Sequence, residues 1–173
     1  MWTRHNWMIA MGVLLTAVAA CSDDDDGGTG TDTEFEATLS GSNEEPAVTT
    51  LATGNATISI QESQIVYSVD VQNLTNVVVS HIHIGPPGVN GPVRLNLCGV
   101  PADSPDCSTE TTGVLVAGSN GVTQGGITFD SLVSAIRAGN AYVNVHTSDG
   151  DEATNGAPGD NPGGEIRGQL TPQ

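Results

Sequence analysis

The chain has 173 residues, with 20 Asp and Glu against four Lys and Arg, for a formal charge of −16. A surface of that sign repels nucleic acid and anionic lipid head groups, so no nucleic-acid partner is expected. After Trp7 the only aromatic residues are Phe35, Tyr67, Phe129 and Tyr142, too few to line a sugar-binding platform.

Residues 1–20 read as a lipoprotein signal peptide. Arg4 and His5 give a polar start, and Met8 to Ala20 is an apolar run too short to span as a stable anchor. Val18-Ala19-Ala20-Cys21 matches the bacterial lipobox, which predicts lipidation at Cys21. Acylation at that point would hold the protein on a membrane surface of the cell envelope, facing periplasm or exterior. Ser22 after the cysteine favours the outer membrane or cell surface in a Gram-negative host. Residues 21–33 follow as an acidic Gly/Asp/Thr tether with nothing apolar to bury. Removal of the leader leaves Arg94, Arg137 and Arg167 against all 20 acidic residues, a net charge of −17.

Residues 34–173 are expected to form one domain. Short alternating runs are punctuated by Gly, Pro and Asn: 35–40, 55–60, 64–71, 77–84, 92–97, 113–116, 122–128, 141–146 and 165–170. Many short strands with frequent turns predict an all-β, antiparallel Greek-key-like β-sandwich or barrel. One short helix, about 130–138, breaks the series. Asp130 is its expected N-cap, Leu132, Val133 and Ile136 its inward stripe, and Gly139 its stop. Cys98 and Cys107 are an even pair in an exported chain and are expected to form a disulfide across the loop between them. A thiolate metal site is the alternative.

Three histidines lie beyond the leader. Side chains alternate along a strand, so His81 and His83 face the same side. His146 lies on a later strand and would complete a three-imidazole cluster if the two strands met. Neutral imidazole suits copper and zinc, and three ligands leave a position open. The plainer reading is that the rings hydrogen-bond to backbone and pin the Pro/Gly loops. Asn144 shares the face of His146, and Glu165 and Arg167 are further candidates for supporting the cluster. Arg167 is expected to pair with Glu165 or another carboxylate. The acidic stretch with Asp149, Asp151, Glu152 and Asp160 raises Ca²⁺, but its spacing departs from an EF-hand loop, and a solvated insertion is the expectation. No nucleophile elbow, phosphate loop or HExxH motif is present, so no enzyme is expected.

Three segments occur in a distinctive order. They are Leu39 to Val48, Ser80 to Val93, and Ala138 to Thr147 running on to Asn161 to Leu170. Together they resemble the CHRD domain, first named from chordin, over about Phe35 to Thr171. The resemblance implies an all-β extracellular domain and brings no settled biochemical activity. The Cys98–Cys107 loop and residues 148–160 are insertions relative to shorter members. A weaker resemblance is to the Cu/Zn superoxide dismutase sandwich. His81, His83 and His146 would match three copper ligands there, and Arg167 loosely matches its active-site Arg. The bridging histidine and the zinc-ligand cluster have no counterpart, so dismutase activity is not expected. The sequence therefore predicts a membrane-anchored lipoprotein with a binding or structural module for an unknown protein or matrix partner. The rival reading is a copper or zinc protein built on the three histidines.

Overall fold

Alternation of apolar and polar residues builds the domain. In Phe35-Glu36-Ala37-Thr38-Leu39 the odd positions are buried and the even ones exposed, which commits the strand to one inner face. The computed structural model describes residues 33–100, 104–151 and 155–173. The segment read from sequence as a signal peptide, Cys21, nearly all of the expected tether and Glu152 lie outside the described residues.

Nine strands are seen among the described residues: β1 (Glu34–Ser40), β2 (Thr53–Ile60), β3 (Ile65–Gln72), β4 (Val77–Ile84), β5 (Val93–Cys98), β6 (Gly113–Asn120), β7 (Ala141–Thr147), β8 (Ile166–Gln169) and β9 (Thr171–Pro172). The sheet runs β5-β4-β7-β8-β1-β2-β3-β6, with β9 also on β1, and every pairing is antiparallel. The chain crosses from β3 to β4, returns from β5 to β6, and crosses again from β6 to β7. These are Greek-key-like connections, and they bring the sheet nearly to closure as a barrel. Its seam lies between β5 and β6. Tyr67 Oη donates to Leu97 O at 2.8 Å, and Asn120 Nδ2 donates to Asn96 O at 3.0 Å across it.

The interior is apolar. Phe35, Leu39, Ile65, Val69, Ile82, Leu95, Leu97, Val143, Val145 and Ile166 are all fully enclosed. Each such side chain contributes roughly 1.5–3 kcal/mol relative to exposure. The helix α1 (Phe129–Arg137) adds Leu132, Val133 and Ile136 to this core. Its N-cap is Thr128 rather than Asp130: Thr128 Oγ1 accepts from Ser131 N at 3.2 Å, and Asp130 sits within the first turn. Gly139, at φ 68°, follows the helix in the left-handed conformation that ends it. The predicted strand at 122–128 does not form. That segment is a loop touching the sheet through a single bridge, Thr123 to Leu95, and Gln124 N donates to Arg94 O. Its Gly125 and Gly126 both take positive φ, which no strand accommodates. Cys98 and Cys107 are joined by a disulfide, as expected from the sequence.

Candidate metal centre

Every residue of β7 is buried, although its side chains alternate between two faces. Ala141, Val143 and Val145 enter the barrel core. Tyr142, Asn144 and His146 point outward and are covered by loops. The register of β4 on β7 pairs His81 with Asn144 and His83 with Tyr142, and β8 on β7 pairs Asn144 with Arg167. The outer face of these three strands is therefore a polar layer made of His81, His83, Tyr142, Asn144, His146 and Arg167.

The three histidines meet there. Their ring centroids are 5.6 Å (His81–His83), 5.2 Å (His81–His146) and 5.7 Å (His83–His146) apart. One ring nitrogen from each lies within 4.8 Å of the other two. Two rings are anchored by their other nitrogen. His83 Nδ1 donates to Gly91 O at 2.9 Å, and His146 Nδ1 donates to Pro162 O at 2.9 Å. This fixes the tautomer and turns Nε2 of both rings inward as a bare acceptor. Among the described residues, His83 Nε2, His146 Nε2 and His81 Nδ1 are buried and have no hydrogen-bond partner.

The protonation states agree with that geometry. Burial, with help from His146 and His83, pushes His81 down to about 3. Burial takes His83 down to about 4 against the opposing pull of its bond to Gly91. Burial likewise lowers His146. All three rings are neutral at neutral pH, with lone pairs available. A metal at about 2.0–2.1 Å from three imidazoles needs the nitrogens roughly 3.3–3.6 Å apart. The rings here need to draw together by little more than about 1 Å. The residues fit a borderline ion such as copper or zinc, and the unpartnered nitrogens are the observation that makes them fit.

The surrounding groups differ in what they do. Asn144 is part of the polar layer: its Nδ2 donates to Glu44 Oε2 at 3.4 Å, and its Oδ1 is buried without a donor. Glu44 was not legible as a site residue. It is buried, and desolvation raises its carboxyl to about 7, with the Arg167 charge and the Asn144 bond pulling the other way. Gly164 makes room for this pair. A Cβ there would lie 2.6 Å from both amide atoms of Asn144 and 2.8 Å from Glu44 Oε1, at φ 129°. The only sequence signal for Glu44 was its place in the Leu39 to Val48 segment, and nothing local distinguishes it from Glu45. A cleft of about 430 Å³ opens beside this group, lined by Glu44, Asn90, Asn161 and Pro162 among others.

Glu165 does not support the histidines. Its carboxylate accepts from Thr50 Oγ1 and Thr147 Oγ1 at 2.6 Å each and from Gly159 N at 2.7 Å. It ties the 156–164 loop to the barrel. The expected partner of Arg167 is also corrected. Its hydrogen bonds go to Asn90 Oδ1 at 3.0 Å, Val89 O at 2.9 Å and Pro86 O at 3.4 Å, rather than to Glu165. A planar guanidinium with several donors suits a cluster of loop carbonyls better than a single carboxylate already saturated by three other donors. Of the acidic stretch, Asp160 is buried and accepts from Asp149 N at 3.4 Å. Among the described residues, the His81, His83 and His146 group is the one gathering of ligand atoms of metal-site size.

Fold and site thus define an all-β barrel domain carrying a buried three-histidine cluster under Gly/Pro-rich loops. The CHRD domain family model matches residues 35–170, and the chain belongs to that family. CHRD domains are binding or structural modules and generally non-enzymatic. Neither the curated proteins nor the solved structures give a match. Among the described residues no helix is long and apolar enough to cross a membrane.

Proposed function

We propose that the domain is a metal-binding module in which His81, His83 and His146 hold one copper or zinc ion. The observation that carries this reading is the set of three buried, unpartnered ring nitrogens facing one another. An unpartnered buried acceptor costs about 1–3 kcal/mol, and three in one place are a concentrated cost that a bound ion removes. A purely structural role would leave those nitrogens with donors. The module binds rather than catalyses, in keeping with its family. It sits on the cell envelope, attached through lipidated Cys21 and held off the membrane by the acidic tether of residues 21–33.

The test uses the full chain in detergent, without an oligohistidine tag. Elemental analysis is followed by Cu(II) and Zn(II) titration of the wild type and of the His81→Ala/His83→Ala/His146→Ala variant. One equivalent of tight metal, lost in the variant, is the expected result. Absence of tight metal in both proteins overturns the reading. For the anchor, Cys21→Ser is expected to move the protein from the membrane fraction to the soluble fraction of cells.

A further inference from the structure

Arg167 is buried deep in the polar layer, with only 2 % of its surface exposed, yet it touches none of the three histidines through a hydrogen bond. Its guanidinium has two occupations. One is the 85–91 loop, where it donates to Asn90 Oδ1 and to the carbonyls of Val89 and Pro86. The other is Tyr142, over whose ring its Cζ lies at 3.5 Å from the centroid. Tyr142 in turn stacks on His83, with ring centroids 4.8 Å apart and planes 12° from parallel. Because β8 and β4 flank β7 on opposite sides, the order across the sheet is Arg167, Tyr142, His83.

The loop and the stack converge on one residue. Gly91 O accepts from His83 Nδ1 at 2.9 Å and from Tyr142 Oη at 3.4 Å, and Gly91 N donates to Tyr142 Oη at 3.0 Å. A Cβ at Gly91 would fall 1.7 Å from Ile84 O, so this close approach requires glycine. His83 is therefore fixed in two independent respects. The Gly91 carbonyl sets which nitrogen carries the proton, and the Tyr142 ring sets the plane in which the other nitrogen points. Arg167 holds both the loop that supplies Gly91 and the ring that supplies the stack.

Resting on the metal reading above, we infer that Arg167 and Tyr142 are positioning residues of the three-histidine site: together they lock His83 as the Nδ1–H tautomer with Nε2 aimed at the ion. They act through His83 and touch no metal themselves. Cation–π and aromatic stacking of this kind hold a side chain in one rotamer at modest cost, and the fork of Arg is not reproduced by Lys. Arg167 is spent on backbone carbonyls and a ring face, and so is not free to draw an anionic substrate toward the histidines.

The test has a metal-free readout and a metal readout. In the apo full chain, ¹⁵N NMR of the imidazoles is expected to show His83 as a single Nδ1–H tautomer in the wild type. Arg167→Met, Arg167→Lys and Tyr142→Leu are expected to shift His83 to a tautomer mixture, and Tyr142→Phe, which keeps the stack but loses the hydroxyl's bonds to Gly91, to shift it less. Cu(II) affinity is expected to fall at least tenfold in Arg167→Met and Tyr142→Leu, with an altered electron paramagnetic resonance spectrum. In Asn90→Ala, which removes one of the three loop contacts, it should fall only two- to fivefold. If Arg167→Met fails to fold, Asn90→Ala and Tyr142→Leu decide the matter. Folded variants with wild-type His83 tautomer and unchanged Cu(II) affinity overturn the inference. A wild type that binds no metal overturns the functional reading, and with it the role of Arg167 and Tyr142 at a metal site.

Discussion

Along β7, Ala141, Val143 and Val145 enter the barrel interior while Tyr142, Asn144 and His146 enter a layer beneath the loops, and all six are buried. The inner face is filled by apolar side chains, whose dispersion and burial need no partner of a given geometry. The outer face is filled by groups whose hydrogen-bonding capacity has to be met one atom at a time. Most of it is met, by Gly91, Pro162, Asn90 and the loop carbonyls. Among the described residues, five of the seven buried side-chain atoms without a partner belong to this layer and its Glu44 neighbour, namely His81 Nδ1, His83 Nε2, His146 Nε2, Glu44 Oε1 and Asn144 Oδ1; the other two are Arg94 Nε and Asp160 Oδ2. The contrast teaches that burial has two purposes in one strand. One face stabilises the fold, and the other carries a cost that a bound ion would remove.

The largest effect that tests this contrast is loss of the ion. Changing His81, His83 and His146 together to Ala should lower copper or zinc affinity by more than a thousandfold, while the metal-free variant melts at or above the metal-free wild type. Titration and thermal melting on the same samples check both halves. The matching change on the inner face is Ile82→Ala, between the two histidines on β4. It should cost about 2–5 kcal/mol in denaturant unfolding and leave the affinity of the folded protein within a few-fold. Removing the disulfide with Cys98→Ser/Cys107→Ser should cost about 2–3 kcal/mol through loop entropy and leave metal affinity unchanged.

A dependence on pH tests the same contrast in the metal-free protein. The histidines of the metal-free protein titrate below their unfolded value of 6.5, near 3 for His81 and 4 for His83. The unfolded chain therefore binds more protons than the folded one below pH 6.5, and stability should fall as pH drops from 6.5 toward 4. Glu44 runs the other way. Its folded value of about 7 lies above the unfolded 4.5, so its contribution is present below pH 4.5 and lost as pH rises through 7. Melting curves of the metal-free Glu44→Gln variant should match wild type at pH 4.5 and lie above it at pH 8. Equal curves at pH 8 would remove the buried-charge account of Glu44.

The inner face was legible because alternation is a local signal: β4 was placed at 77–84 from sequence alone, and the two histidines on it followed. His146 could be joined to them only through the resemblance in segment order, since strand neighbours in a Greek-key sheet are far apart in sequence. The strand expected at 122–128 failed because two glycines with positive φ were read as ordinary strand residues. The cap is Thr128, two residues before the expected Asp130, because its hydroxyl accepts from Ser131 N and the helix begins at Phe129. Charge alone points Arg167 toward Glu165 or another carboxylate, whereas Thr50, Thr147 and Gly159 fill Glu165 and loop oxygens take the guanidinium. Glu44 was missed because its burial depends on Gly164, 120 residues away.

A crystal of the copper-loaded full chain, with anomalous scattering recorded at the metal edge, addresses the central claim most directly. The account predicts one ion bound by His81 Nδ1, His83 Nε2 and His146 Nε2 at about 2.0–2.1 Å each, with His83 Nδ1 still on Gly91 O. An ion seated instead on the acidic residues around Asp149 and Asp160, with the three rings unmoved and unligated, would contradict it.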